Sequence, residues 1–212
     1  MTAEMADGSD RSPQDTAALI QEMDHRIKNH LQLLASYARL ASQRRGLTAC
    51  ELAADLADKL SAIAGAHDAL HRSAGLRAAP ALPFLSTLIA AFPQAPHPIL
   101  VTCDAELMLP AGELAPIGMI VTEAVANALK HAFPGNMPGC VRVSLVESPE
   151  GLQLTVQDNG VGLAELEDAR ISGQRLIEAL GRRLGGRSWT RNLPEGGAEV
   201  GLICPRRTDS QP

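Results

Sequence analysis

Three groups of residues in this 212-residue chain have the types and the spacing to do chemistry. The first is His25-Arg-Ile-Lys-Asn29, in which an imidazole, a nitrogen nucleophile and proton carrier near neutral pH, stands four residues from a carboxamide. The second runs from Glu123 through Asn127 to Lys130 and His131, in steps of four and then three or four that share one helix face. The carboxamide oxygen of Asn127 is a hard ligand suited to Mg²⁺, an ion that keeps several waters and borrows oxygens from bound phosphates. Lys130 and His131 would then meet those phosphates. The third is Asp158-Asn159-Gly160-Val161-Gly162, where a carboxylate at a strand end can accept a hydrogen bond from an adenine amino group. Its glycines permit an approach that a side chain would block. Each group alone also fits a plainer reading: a solvated charged face, an amphipathic helix, a tight turn. Their order along one chain joins them.

Each group needs an element to hold it. From Asp15, a helix N-cap after Pro13, apolar residues recur at Ile20, Ile27, Leu31, Leu34, Ala38 and Ala41, which predicts a long helix ending near Gly46. Leu52, Leu56, Leu60, Ile63, His67 and Leu70 keep the same alternation up to Gly75, so the two helices form an antiparallel hairpin. His25 and Asn29 are displaced from the Ile20, Ile27 and Leu34 stripe toward solvent. His67 lies on the apolar stripe and reads as a partly buried, locally hydrogen-bonded core histidine. His25, His30, His67 and His71 lack zinc-ligand spacing and have no cysteine beside them. One hairpin alone leaves apolar surface uncovered. Two would hide it in a four-helix bundle, which predicts a homodimer; packing the stripe on the chain's own second domain is the other solution.

The Pro- and Ala-rich run at 76–83 punctuates the pattern. After it come a short helix over 85–92, a strand over 99–103, a long helix over 111–133 and a hairpin of strands over 140–146 and 152–157. A loop, a helix over 174–184 and strands over 188–191 and 198–203 follow. This pattern predicts an α+β sandwich. The division expected is a polar tail at 1–14, a helical hairpin at 15–76, a linker at 77–83, a second domain at 84–207 and a tail at 208–212. The net charge is −5 with both signs interspersed, which disfavours nucleic acid and anionic lipid as partners. The N-terminus is too polar and acidic for a targeting peptide, and the longest apolar run, at 117–125, is interrupted by Glu123. Cys50, Cys103, Cys140 and Cys204 form no C-x-x-C pair and fit reduced packing residues. The expectation is a soluble cytoplasmic chain without a membrane span.

Taken in order, these motifs resemble bacterial sensor histidine kinases, specifically the HWE-related subfamily with its H-R-x-K-N phosphoacceptor box. Here that box is His25-Arg-Ile-Lys-Asn29, followed by Leu31-Gln-Leu-Leu34. The segment Ala62-Ile-Ala-Gly-Ala-His-Asp-Ala-Leu-His71 is similar to the subfamily's partner helix. Gly118 to Pro134 resembles its N box, and Asp158 to Gly162 its G1 box. The resemblance implies a hairpin for dimerisation and histidine phosphotransfer, followed by a GHKL-type ATP-binding domain of the Bergerat fold. It implies that His25 is phosphorylated from Mg-ATP and passes the group to an aspartate of a response-regulator receiver domain. It further implies that Asn127 holds Mg²⁺, that Asp158 reads adenine, and that Asn159, Gly160 and Gly162 shape the nucleotide pocket. It also implies that Lys130 and His131 lie near the phosphates and that Glu123 orients water or polarises the site. The family's glycine-rich lid is reduced to Ser172-Gly173, and Asp24 stands where a histidine often precedes the phosphoacceptor. The shortened lid and the want of a sensor segment motivate an alternative: a phosphotransfer adaptor with a degenerate ATPase domain, served by a separate sensor protein. An anti-sigma-type kinase on the same ATPase fold would leave the His25 hairpin without a purpose.

Overall fold

The computed structural model of the chain describes residues 13–42, 48–72, 77–92, 95–163 and 168–206. Helix α1 spans Pro13–Ala41 and α2 spans Ala49–Arg72. The expected polar tails fall almost wholly outside the described residues, as do the end of the first helix near Gly46 and the middle of the shortened lid. A reciprocal capping box opens α2, with Thr48 N donating to Glu51 Oε2 at 2.8 Å and Glu51 N to Thr48 Oγ1 at 3.2 Å. Those two bonds satisfy backbone donors that the first turn leaves without a carbonyl.

The buried side of α1 is His30, Leu33, Tyr37 and Ala41, again steps of three and four. This corrects the stripe expected from apolar residues alone, because Ile27 and Leu31 are 44% and 60% exposed. Its seam is built partly from a histidine and a tyrosine, which a count of aliphatic side chains passes over. His30 and His67 meet across the hairpin, ring nitrogens 3.2 Å apart; His67 is partly buried as expected, but its partner stands on the other helix rather than nearby in sequence. On α2, Ala62, Ile63, Ala66, Ala69 and Leu70 are buried, whereas Leu60, placed on the stripe by its spacing, is 53% exposed.

The run at 77–83 is ordered structure. Strand β1, Ala78–Pro80, pairs antiparallel with β3, Met108–Pro110, and Ala79 between them is fully buried. Helix α3, Ala81–Ile89, follows at once. The main sheet has the order β2-β4-β5-β7-β6. Here β2 is Ile99–Cys103, β4 Val141–Ser148, β5 Gly151–Asp158, β6 Arg187–Asn192 and β7 Ala198–Cys204. Strand β2 runs parallel to β4, and the remaining neighbours are antiparallel. The hairpin expected near residue 150 is the β4–β5 turn, closed by the Ser148–Gly151 pair.

Helix α4, Ala111–His131, is buried nearly all round from Glu113 to Val125. A helix apolar on every side lies inside a domain. It packs on the sheet with α5, Asp168–Arg183, beside it, and α2 covers its other side. Gly118 makes that close approach workable: a Cβ there would stand 3.1 Å from the Phe84 ring and 3.6 Å from Ala62 Cβ. The architecture is thus α+β, with N-terminal helices laid on a mixed-sheet domain. Among the described residues no helix is long and apolar enough to cross a membrane.

Candidate functional site

An open cleft of about 590 Å³ lies between α4, α5 and the sheet. Asn127 and His131 of α4, Asp158 of β5, Gly162, Thr190 of β6, and Ala198 and Val200 of β7 line it. A mostly apolar lining with a few polar groups converging is the make-up of a small-molecule site.

Asp158 ends β5 and is buried, and its Oδ1 accepts from the backbone N–H of Gly160 at 3.0 Å and of Ala198 at 3.2 Å. With one oxygen committed to the backbone, the other is the atom left for a donor in the cleft. The glycines around it have distinct duties. A Cβ on Gly160 would collide with the carbonyl of Ala132, onto which the loop folds through Val161 N at 3.0 Å. Gly162 and Gly197 have φ of +78° and +87°, in the left-handed region that glycine enters without strain. Asn192 fastens the loop beyond, accepting from Leu163 N at 2.6 Å.

The expected site residues therefore separate in space. Asn127, His131, Asp158 and Gly162 line the cleft together. Asn159 turns from it: its Oδ1 accepts from Cys140 N at 2.7 Å and ties the loop to the start of β4. Lys130 points to the hairpin, its Nζ 3.3 Å from Asp55 Oδ1 of α2. Glu123 is buried behind the cleft wall, where Oε2 meets Lys59 Nζ at 2.8 Å and Oε1 accepts from Asn127 Nδ2 at 3.3 Å. Gly173 closes on that pair, since a Cβ there would come within 2.5 Å of Glu123 Oε1 and 3.1 Å of Asn127 Nδ2. His25 is exposed on α1 with its Nδ1 3.3 Å from Asn29 Nδ2, and it is not among the residues lining the cleft. Thr190, Asn192, Lys59 and Asp55 were not legible beforehand. Only Gly196-Gly197 ahead of β7 hinted at a backbone brought close to Asp158.

On the opposite face of the sheet, where strand alternation sends the residues between the lining ones, Glu199 is 3% exposed. It accepts from Trp189 Nε1 at 2.6 Å and Gln157 Nε2 at 2.7 Å, and meets Arg191 Nη2 at 2.7 Å. Burial alone pushes its carboxyl up, but the three donors together hold it below the ordinary glutamate value.

Residues 22–95 match the family described as histidine kinase, and residues 98–198 match the histidine kinase-like ATPase domain. The chain belongs to the HWE-related histidine kinases. Among its relatives in this family, the sensor histidine kinase PdtaS of Mycolicibacterium smegmatis is 29% identical over 205 residues, spanning 92% of this chain and 41% of the relative. Blue-light-activated histidine kinase 2 of Erythrobacter litoralis is 30% identical over 199 residues, spanning 84% of this chain and 56% of the relative. The chain therefore spans about half the length of these curated relatives. The histidine kinase domain of the Erythrobacter litoralis EL346 blue-light activated kinase superposes with a TM-score of 0.67 at 24% identity, over 87% of this chain and 92% of that one, a likeness of fold. The anti-sigma F factor of Bacillus thuringiensis is 40% identical over 58 residues, only 27% of this chain and 40% of the relative.

Proposed function

We propose that this chain is an ATP-dependent protein-histidine kinase of a two-component system. It phosphorylates His25 and passes the group to an aspartate of a response-regulator receiver domain. One observation carries the reading: an exposed imidazole paired with a carboxamide, His25 with Asn29, sits on a hairpin docked against α4, the helix that lines the cleft. The names of the similar kinases from Mycolicibacterium and Erythrobacter support the same activity.

In this reading the second carboxylate oxygen of Asp158 accepts the adenine amino group and His131, which lines the cleft, meets the phosphates, while Lys130 stays with Asp55 on the hairpin side. Magnesium bound with the nucleotide neutralises charge on the phosphate oxygens. The donor set fits it: Asn127 brings one hard oxygen to the cleft, while no group of three or more His, Cys, Asp or Glu side chains among the described residues could hold a metal alone. Asn29 governs the nucleophile. Its carboxamide offers Nδ1 of His25 an N–H or, after a half-turn, a carbonyl, and the carbonyl fixes the ring proton on Nδ1 and the lone pair on Nε2. That lone pair forms the N–P bond while the bond from the γ-phosphorus to the bridging oxygen breaks and ADP leaves. An aspartate oxygen of the receiver then attacks phosphorus, and the N–P bond breaks to restore the imidazole. His25 lies away from the cleft lining, so hairpin and cleft approach one another for transfer, within one chain or between the two chains of a homodimer.

The test is incubation with γ-labelled ATP and magnesium. Acid-labile label is expected on the wild-type chain and none on His25→Ala, with nucleotide binding by Asp158→Asn weakened by on the order of tenfold through a lost acceptor. Label surviving in His25→Ala would sink the reading. Label accepted on His25 only from a phosphorylated regulator, and never from ATP, makes the chain a phosphotransfer adaptor instead.

A further inference from the structure

The most unusual side chain in the hairpin is Lys59, which is 2% exposed, held 2.8 Å from Glu123 of the ATPase helix and with its ammonium 5.5 Å from the centre of the Tyr37 ring. Burying both members of an ion pair costs desolvation that their attraction barely returns, and well-packed apolar residues of the same volume do as well or better for stability. The pair therefore calls for a purpose other than stability, and the atoms around Glu123 supply one. A carboxylate only accepts, so the face of Asn127 turned toward Glu123 Oε1 must be its NH₂, as the 3.3 Å contact has it. This fixes which way round the carboxamide sits. Its oxygen is left for the cleft that Asn127 lines.

Glu123 can hold Asn127 in this way only if it stays put. Lys59 holds it from the α2 side, and Gly173 of α5 closes the third side, where a Cβ would stand 2.5 Å from Glu123 Oε1. Asp55, one turn before Lys59 on α2, reaches Lys130 on the same ATPase helix, so the hairpin touches this helix at two charged points. Glu123 itself is not among the residues lining the cleft.

We propose that Lys59 is a positioning residue for nucleotide-bound magnesium, acting through Glu123 to present the carboxamide oxygen of Asn127. The second helix of the hairpin is thereby part of the nucleotide site. This rests on the kinase reading above, and it assigns to a hairpin residue a part in metal-dependent ATP binding.

Calorimetric binding of ATP to the full chain, with magnesium and in EDTA, separates the possibilities. Wild type is expected to bind ATP more tightly with magnesium. Lys59→Met is expected to lose about tenfold of that magnesium-dependent gain, as supporting groups behind metal ligands do, while binding in EDTA stays within about twofold. Lys59→Arg, which keeps the charge, is expected to retain most of the gain. A merely structural role for Lys59 moves both arms together. If Lys59→Met is unfolded at the assay temperature by circular dichroism, Lys59→Gln, which still donates to Glu123 but leaves its charge uncompensated, is read in the same way. A folded variant whose gain equals that of wild type, or which loses equally in both arms, overturns the proposal alone. Wild type that binds no ATP in either arm overturns the kinase reading and the proposal with it.

Discussion

Glu199 shows what a residue on the far side of the sheet from the cleft contributes. Its depressed carboxyl makes a prediction whose sign follows from linkage. A group with a folded pKa below its unfolded one stabilises the protein above the unfolded value, near 4.3 for glutamate, and that contribution is lost as pH falls through the lower folded value. Glu199→Gln places an amide where Trp189, Gln157 and Arg191 all donate. It should therefore cost about 1–3 kcal/mol at neutral pH, or roughly 2–4 °C of melting temperature per kcal/mol in a chain of this size. Thermal melts at pH 7 and in the acid range check this: the gap between wild type and variant should shrink on acidification, and a gap independent of pH refutes it. At this scale the sequence was most legible where chemistry is local. His25 with Asn29 and Glu123 with Asn127 are four apart on one helix, and the structure sets each pair in contact. Lys59 and Asp55 carry no such mark, because their partners lie 64 and 75 residues away, at a distance that no periodicity encodes. The bond from Cys140 to Asn159 is likewise long-range and carries no mark in the sequence around Asp158.

Most elements were legible from period and punctuation: the long helices, the β4–β5 hairpin and the last two strands all lie close to their expected places. The β1–β3 pair was not, because three-residue strands rich in proline carry neither an alternation nor a β-branched bias. The face of α1 was misplaced for a physical reason too. Helix seams are chosen by what packs opposite, and opposite α1 stand His67 and Lys59, which suit His30 and Tyr37. Packing of α2 on α4 depends on small residues, with Ala62 fully buried and its Cβ 3.6 Å from where a Cβ of Gly118 would be. Ala62→Leu adds three carbons to a contact that has no room for them. The expected cost is about 1–3 kcal/mol of unfolding free energy in urea, whereas Ala64→Leu on the exposed side of the same helix should change little. Equal effects from the two would mean that α2 does not hold α4 at this seam.

For the molecule as a whole, the consequence is that hairpin and ATPase layer are not separable bodies. The expectation of a four-helix bundle began from the apolar surface that one hairpin leaves uncovered. On α2 part of that surface is covered by α1 on one side and by α3 and α4 on the other, while Ile27, Leu31 and Leu60 stay exposed on the hairpin. The dependence runs both ways. Helix α4 is buried on nearly every side; without α2 it would lose the cover that Ala62 and its neighbours give, and Glu123 would lose Lys59. A chain beginning at residue 77 should then melt at least about 5 °C below the full chain, the equivalent of roughly 2 kcal/mol of lost packing. It should also associate as concentration rises, because an uncovered apolar helix face of this kind drives self-association. Melting followed by circular dichroism and sedimentation at several concentrations measure the two effects. A shortened chain that melts with the full one and stays monomeric would show that α2 merely rests on α4, and the route by which the hairpin reaches Asn127 would have to be given up with it.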